Sequence, residues 1–191
     1  LFRSDSSGRL QLAEKIVGPD NPLTARVFVN RVWGYLMGSH IVDTPSDFGL
    51  QGSPPTHPEL LDWLAADFVE HDWSIKHLVR TIVLSQTYQQ RSDYREDGVN
   101  TDLQNKLLWR GNRKHLSIEA IRDSLLSASR QLDPTPRGHA GKLWTNGYTK
   151  RRAIYGYINR FNLDPTLRAF DFPTPVQSQP KRGESIVAPQ A

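Results

Sequence analysis

Residues 21–90 read NPLTARVFVNRVWGYLMGSHIVDTPSDFGLQGSPPTHPELLDWLAADFVEHDWSIKHLVRTIVLSQTYQQ, and this stretch decides the fold class. Asn21 followed by Pro22 marks a helix start. An Asn side chain can accept from a free N–H of the first turn, and a proline at the first helical position gives up no hydrogen bond. Ala25, Phe28, Val29, Val32, Trp33 and Leu36 then recur at helical spacing as one apolar stripe, and Gly38 ends it. Thr56-His57-Pro58-Glu59 has the form of a capping box, Thr hydroxyl to Glu59 N–H and Glu59 carboxylate back to the cap. Leu61, Leu64, Ala65 and Phe68 follow as a buried face. Ser74 caps a third helix with Ile75, Leu78, Val79 and Ile82. Between the first two helices, residues 39–55 form a loop longer than most structureless connections. Its prolines and glycines, with Ile41, Val42, Phe48 and Leu50 to pack it, predict an ordered segment.

Working outward, residues 7–17 predict a short helix with Leu10, Leu12, Ala13, Ile16 and Val17 as its apolar set, closed by Gly18-Pro19-Asp20. Residues 91–101 read as polar and mobile. A short helix is expected around Leu103, Leu107, Leu108 and Trp109. Ser117 starts a long one whose seam is Ile118, Ile121, Leu125, Ala128 and Leu132, with Asp133-Pro134 as its stop. Residues 152–158, RAIYGYI, carry the aromatic and β-branched residues of a strand, which needs a partner inside or outside the chain. The prolines after residue 172 predict an extended tail. The expectation is therefore mainly α: an irregular bundle of about five helices with a minor β element near 152–158. A single domain spans 1–172, with an extended tail at 173–191 leading into a continuation of the polypeptide. Phe28, Val32, Leu61, Leu64, Phe68, Leu78, Ile82, Ile121 and Leu125 are expected to share one core.

The chain of 191 residues has five Trp, six Tyr and seven Phe, enough large side chains for a sizeable core. With no cysteine, thiol nucleophiles, disulfides, thiolate zinc sites and C-x-x-C-H haem attachment are excluded within it. No apolar run has the length of a membrane span. Residues 1–100 carry 9 Lys/Arg against 13 Asp/Glu, a balance of −4, whereas residues 101–191 carry 15 against 7, a balance of +8. Such halves can complement one another, or the basic half can meet an anionic partner.

No phosphate-binding, dinucleotide-binding, serine-hydrolase or H-E-x-x-H motif is present. Four constellations remain. In TPSDFG (44–49), Asp47 offers a carboxylate from a rigid loop, with His57 just beyond it. Asn30 and Arg31 lie off the apolar stripe of their helix, and the Arg fork suits a carboxylate, either Asp47 or a ligand. Glu119, Arg122 and Asp123 place two carboxylates one helical turn apart, a spacing usable for acid–base chemistry or for ion pairing. RGHAGKLWTNGYTKRR (137–152) interleaves Lys142, Lys150, Arg151 and Arg152 with Trp144 and Tyr148, the composition of a polyanion or single-strand surface. His40, His71, His77, His115 and His139 show no metal-ligand spacing, so no metal site is expected.

Several long phrases resemble one family: NPLTARVFVNRVW (21–33), TPSDFG (44–49), PPTHPELLDWLA (54–65), IVLSQTY (82–88), LLWRGNRKHLSIEAIRDSLL (107–126) and RRAIYGYINR (151–160). That family is the planctomycete-specific domain of unknown function, the C-terminal module of large exported proteins that often carry a cytochrome-c-like domain. The closing SIVAPQA (185–191) resembles the start of the helix with which the family's domain continues. The resemblance implies export to the periplasm or cell surface, a multidomain parent, and haem elsewhere in that parent but no cofactor in this segment. It assigns no activity. The expected function is an interaction or scaffold module whose partners are neighbouring domains of the same polypeptide. One alternative is a glycan-active enzyme domain centred on Asp47, His57, Glu119 and Asp123, with Asn30, Arg31 and Arg122 binding ligand. Another is a polyanion-binding module using 137–152.

Overall fold

A computed structural model describes residues 7–18, 20–183 and 185. It is mainly α, and by its contacts the chain divides into two compact units, residues 1–114 and 115–191, where the sequence reading drew one domain over 1–172.

The first unit contains α1 (Arg9–Val17), α2 (Pro22–Met37), α3 (Pro58–Glu70), α4 (Ile75–Val83) and the short α5 (Gln86–Gln89) and α6 (Glu96–Thr101). The Asn21 side chain accepts from Leu23 N–H at the start of α2, and Gly38 closes it in the left-handed region at φ 81°. Lys114 Nζ donates to the terminal carbonyls of Tyr35 and Leu36 at 2.7 and 3.1 Å, placing a cation at the negative end of the helix. Ser74 caps α4 by accepting from His77 N–H.

The core of this unit joins Val29, Trp33 and Met37 of α2 to Leu61, Leu64 and Phe68 of α3 and to Leu78 and Ile82 of α4, with Phe28 and Val32 packed against it. Phe28 and Phe68 stack at 5.1 Å. Burying such side chains is the main favourable term for a unit of this size.

Five expectations in this unit change. No capping box forms at Thr56: His57 stands at the N-cap of α3 with no side-chain cap bond, and Thr56 Oγ1 instead donates to Ile41 O at 3.3 Å. Leu50 is fully exposed, so loop 39–55 is packed by Ile41, Val42 and Phe48 only. Residues 96–101 of the segment read as mobile are helical, and the helix expected near Leu103–Trp109 is a series of turns. The α1 helix forms, but none of its residues is buried.

The second unit contains α7 (Ile118–Ala128), a 3₁₀ turn (Ala153–Tyr155) and α8 (Pro165–Ala169). Ile118, Leu143, Ala153 and Leu167 form its core, with Trp144, Ile158, Leu163, Phe170 and Phe172 against it. The buried face of α7 is Ile118, Arg122 and Leu126, not the expected seam. Leu125 is 66% exposed, and neither it nor Ile121 belongs to the core of α2, α3 and α4.

The β element is smaller than a strand. Arg151 bridges Asp133 and Gly156 bridges Gly141, on either side of the 3₁₀ turn. Its partners thus come from within the chain. Residues 173–183 have no regular structure, yet they are tied back: Arg182 reaches Glu119, and beyond them Ser185 donates from N and Oγ to the Asp171 carboxylate at 2.9 and 2.7 Å. The helix expected to begin within SIVAPQA lies, from residue 186 on, outside the described residues.

Candidate functional site

In α2, Asn30 is wholly buried and its amide binds both backbone groups of one residue. Its Oδ1 accepts from Val42 N–H at 2.8 Å and its Nδ2 donates to Val42 O at 3.0 Å. The arrangement imitates one rung of a sheet and leaves no amide edge facing a ligand. Arg31, one residue on, is exposed and reaches Ser46 Oγ at 3.5 Å rather than Asp47. Asp47 is spent locally: its Oδ1 accepts from Gly49 N–H at 2.8 Å, an Asx turn. His57 Nδ1 pairs with the adjacent Thr56 hydroxyl at 3.0 Å. Loop 39–55 is thus held by Asn30, Thr44 and Thr56, not by an Arg31–Asp47 ion pair.

In α7, Arg122 is 4% exposed and donates to three carbonyls: Leu143 at 3.2 Å, Arg151 at 2.9 Å, and Thr149. The rigid five-donor fork suits this convergence, and a lysine has no equivalent. Asp123 lies 3.4 Å from the Arg122 guanidinium and accepts from Ala153 N–H at 2.8 Å. Arg122 and Asp123 together therefore fasten residues 143–153 onto α7. Glu119 receives two bonds from Arg182, at 2.8 and 2.6 Å. Burial pushes the Glu119 carboxyl up, but the Arg182 hydrogen bonds and charge act against it, and the net direction is below the ordinary value.

Of the four candidate catalytic residues, Asp47 and His57 belong to the first unit and Glu119 and Asp123 to the second. Each has an internal partner. Among the basic-stretch residues, Arg151 is turned inward: it donates to Thr135 O and His139 O and lies over Tyr155 at 4.3 Å. Lys142 and Trp144 line a cavity of about 260 Å³ with Tyr157, Asn159, Asn162 and Asp164. The Asp164 carboxylate in that wall opposes an anion. Tyr148, Lys150 and Arg152 are exposed.

One cluster was missed by the sequence reading. Asp67, in the last turn of α3, meets His71 at its C-cap and His77 in the first turn of α4. Asp67 Oδ2 is 2.9 Å from His77 Nε2, and Asp67 Oδ1 is 3.2 Å from His71 Nδ1. The two imidazoles stack at 3.7 Å with planes 11° apart. His71 Nδ1 also lies 2.9 Å from Asp67 O, and Thr81 Oγ1 is 3.4 Å from His77 Nε2. One donor atom from each of the three residues falls within 4.8 Å of the others. Asp67 and His71 stand at i,i+4 on one helix, a legible signal. The approach of His77 depends on the turn between helices, where Asp72 and Trp73 both take left-handed conformations at φ 53° and 57°. That turn brings Trp73 edge-on to Phe68 at 5.3 Å.

The fold and these sites define a small, mainly helical module whose conspicuous polar residues bind its own backbone. The model of PSD1, a family of proteins of unknown function (DUF1553), matches residues 8–191, and the chain belongs to that family. No curated protein and no solved structure matches it. Among the described residues no helix is long and apolar enough to cross a membrane.

Proposed function

We propose that this chain is a non-catalytic interaction module that docks neighbouring domains of the same large polypeptide. The observation that carries this reading is α1. Its apolar residues Leu10, Leu12, Ile16 and Val17 are between 45% and 67% exposed. Leu10, Ala13, Ile16 and Val17 follow helical spacing and make one stripe. The helix is held at its C-terminal end, where Asn21 Nδ2 and Thr24 Oγ1 donate to Ile16 O at 3.0 and 2.6 Å, and not by burial. A helix of nine residues is marginal on its own in water, and an apolar face normally supplies its stability through packing. A neighbouring domain that covers this stripe would supply that packing.

Export to the periplasm or cell surface, and a parent that carries haem in another domain, belong to this proposal through the family resemblance. The internal pairing of Asp47, His57, Glu119 and Asp123 supports a scaffold over glycan chemistry, and the inward turn of Arg151 supports it over polyanion binding. The test is calorimetric titration of this segment with separately produced neighbouring domains of its parent. The reading expects saturable association with a negative heat-capacity change, the mark of apolar burial. Absence of association with every neighbouring domain would overturn it.

A further inference from the structure

We propose that Asp67, His71 and His77 bind a divalent transition-metal ion of the zinc class, which ties the end of α3 to the start of α4. The donor set is one carboxylate and two imidazoles, the chemistry that suits zinc and its first-row neighbours rather than the all-oxygen shells of calcium or magnesium. The distances agree with it. Metal–nitrogen and metal–oxygen bonds near 2.0–2.2 Å at a tetrahedral angle put adjacent donor atoms roughly 3.3 Å apart. The carboxylate-to-imidazole separations are 2.9 Å from Oδ2 to His77 and 3.2 Å from Oδ1 to His71, one carboxylate oxygen for each ring. An ion placed among these atoms replaces the imidazole N–H protons that otherwise bridge to Asp67. At His71 it takes Nδ1 away from the Asp67 carbonyl. Each nitrogen lone pair lies in its ring plane, so the two stacked rings must turn out of their parallel arrangement to share one ion, and both side chains, at 46% and 33% exposed, have solvent on one side in which to turn.

Burial grades across the cluster in a way that suits a bound cation. The Asp67 side chain is 14% exposed and the His71 side chain 46% exposed. The carboxylate is therefore held in place, while one side remains open to solvent. Three protein ligands and an open side are the pattern of a zinc ion that keeps a water molecule. Thr81 Oγ1, 3.4 Å from His77 Nε2, stands beside the same donors. The inference is independent of docking through α1, which needs no metal.

The experiment uses the metal-free chain, prepared by dialysis against a chelator. It is titrated calorimetrically with Zn²⁺, and separately with Co²⁺ followed by visible absorption and by paramagnetic shifts of the histidine ring protons. The expected result is one ion per chain, cobalt bands in the visible, shifts at the rings of His71 and His77, and a raised melting temperature. Loss of a supporting partner behind a ligand commonly weakens metal binding 10–100-fold, so loss of a ligand should exceed about 100-fold. His71→Gln, at a half-exposed position, and Asp67→Asn, which keeps shape, should each reach that loss while circular dichroism shows unchanged helix content. No saturable binding overturns the proposal. So does binding that survives in His71→Gln, or cobalt shifts confined to other histidines. Should Asp67→Asn fail to fold, His71→Gln and the ring shifts still decide.

Discussion

Asn30 holds Val42 by both of its backbone groups, accepting the N–H at 2.8 Å and donating to the carbonyl at 3.0 Å, with no exposure to solvent. This contact fixes where the chain leaves α2 and enters the loop. Asn30→Ala leaves a buried donor and a buried acceptor without partners. At about 1–3 kcal/mol for each unsatisfied group, the expected loss is about 2–6 kcal/mol in urea denaturation. Amide exchange at Val42 should accelerate with it. A loss below about 0.5 kcal/mol would show the contact to be dispensable.

Arg122 has the equivalent role in the second unit. Arg122→Lys keeps the charge but cannot reach the carbonyls of Leu143, Thr149 and Arg151 at once. Leaving buried or half-buried carbonyls without their donor costs about 1–3 kcal/mol for each. Arg122→Ala should reach that range, and Arg122→Lys should recover only part of it. Hydrogen exchange in residues 142–153 is the local readout. Full rescue by Lys would mean that charge alone matters there.

The Glu119–Arg182 pair predicts a pH dependence. The folded carboxyl lies below the ordinary value for a glutamate, so the unfolded chain binds the proton more readily. Stability from the pair is then present above the unfolded value and is lost as pH falls through the folded one. Both side chains are partly exposed, at 25% and 36%, so the contribution is roughly 0.2–1 kcal/mol after screening. Comparing wild type with Arg182→Gln across this range should give a difference at neutral pH that vanishes in acid. A difference that persists unchanged in acid would contradict the assignment.

Gly34 lies under the His40 ring, where an added Cβ would come within 2.3 Å of Nε2. Alanine is the better helix former by roughly 0.8–1.0 kcal/mol, yet overpacking costs about 1–3 kcal/mol. Gly34→Ala should therefore destabilise the protein. In a His40→Ala background the same change should stabilise it. The sign reversal is read in a double-mutant cycle of melting or urea midpoints.

How much of this was legible varied with the physics. Caps at Asn21, Ser74 and Ser117 and the stripes of α2, α3 and α4 followed from local rules, because side-chain period and cap chemistry act within a few residues. The α7 face was misread because its buried centre is Arg122: a charged residue reads as solvent-facing until three distant carbonyls converge on it. The strand expected at 152–158 failed for the same reason, since Arg122 takes the carbonyl of Arg151 just before it, Asp123 takes the Ala153 N–H, and the Tyr155 carbonyl and Tyr157 N–H bond to Gly141 alone rather than to a ladder. At Thr56 a long-range carbonyl, that of Ile41, took the hydroxyl meant for the helix cap. The Asp67–His71–His77 cluster escaped because two consecutive non-glycine residues in left-handed conformations, Asp72 and Trp73, follow no compositional rule.

The central claim is that this chain works through a docking face and not through a reactive centre. Hydrogen exchange of the segment, alone and with each neighbouring domain of its parent, tests it most directly. The account predicts slowed exchange concentrated in α1, Arg9–Val17, which Leu10→Lys with Val17→Glu abolishes without changing the melting temperature, since neither residue is buried. Protection confined to the pairs around Asp47, His57, Glu119 and Asp123, with α1 exchanging as in the free segment, would contradict it.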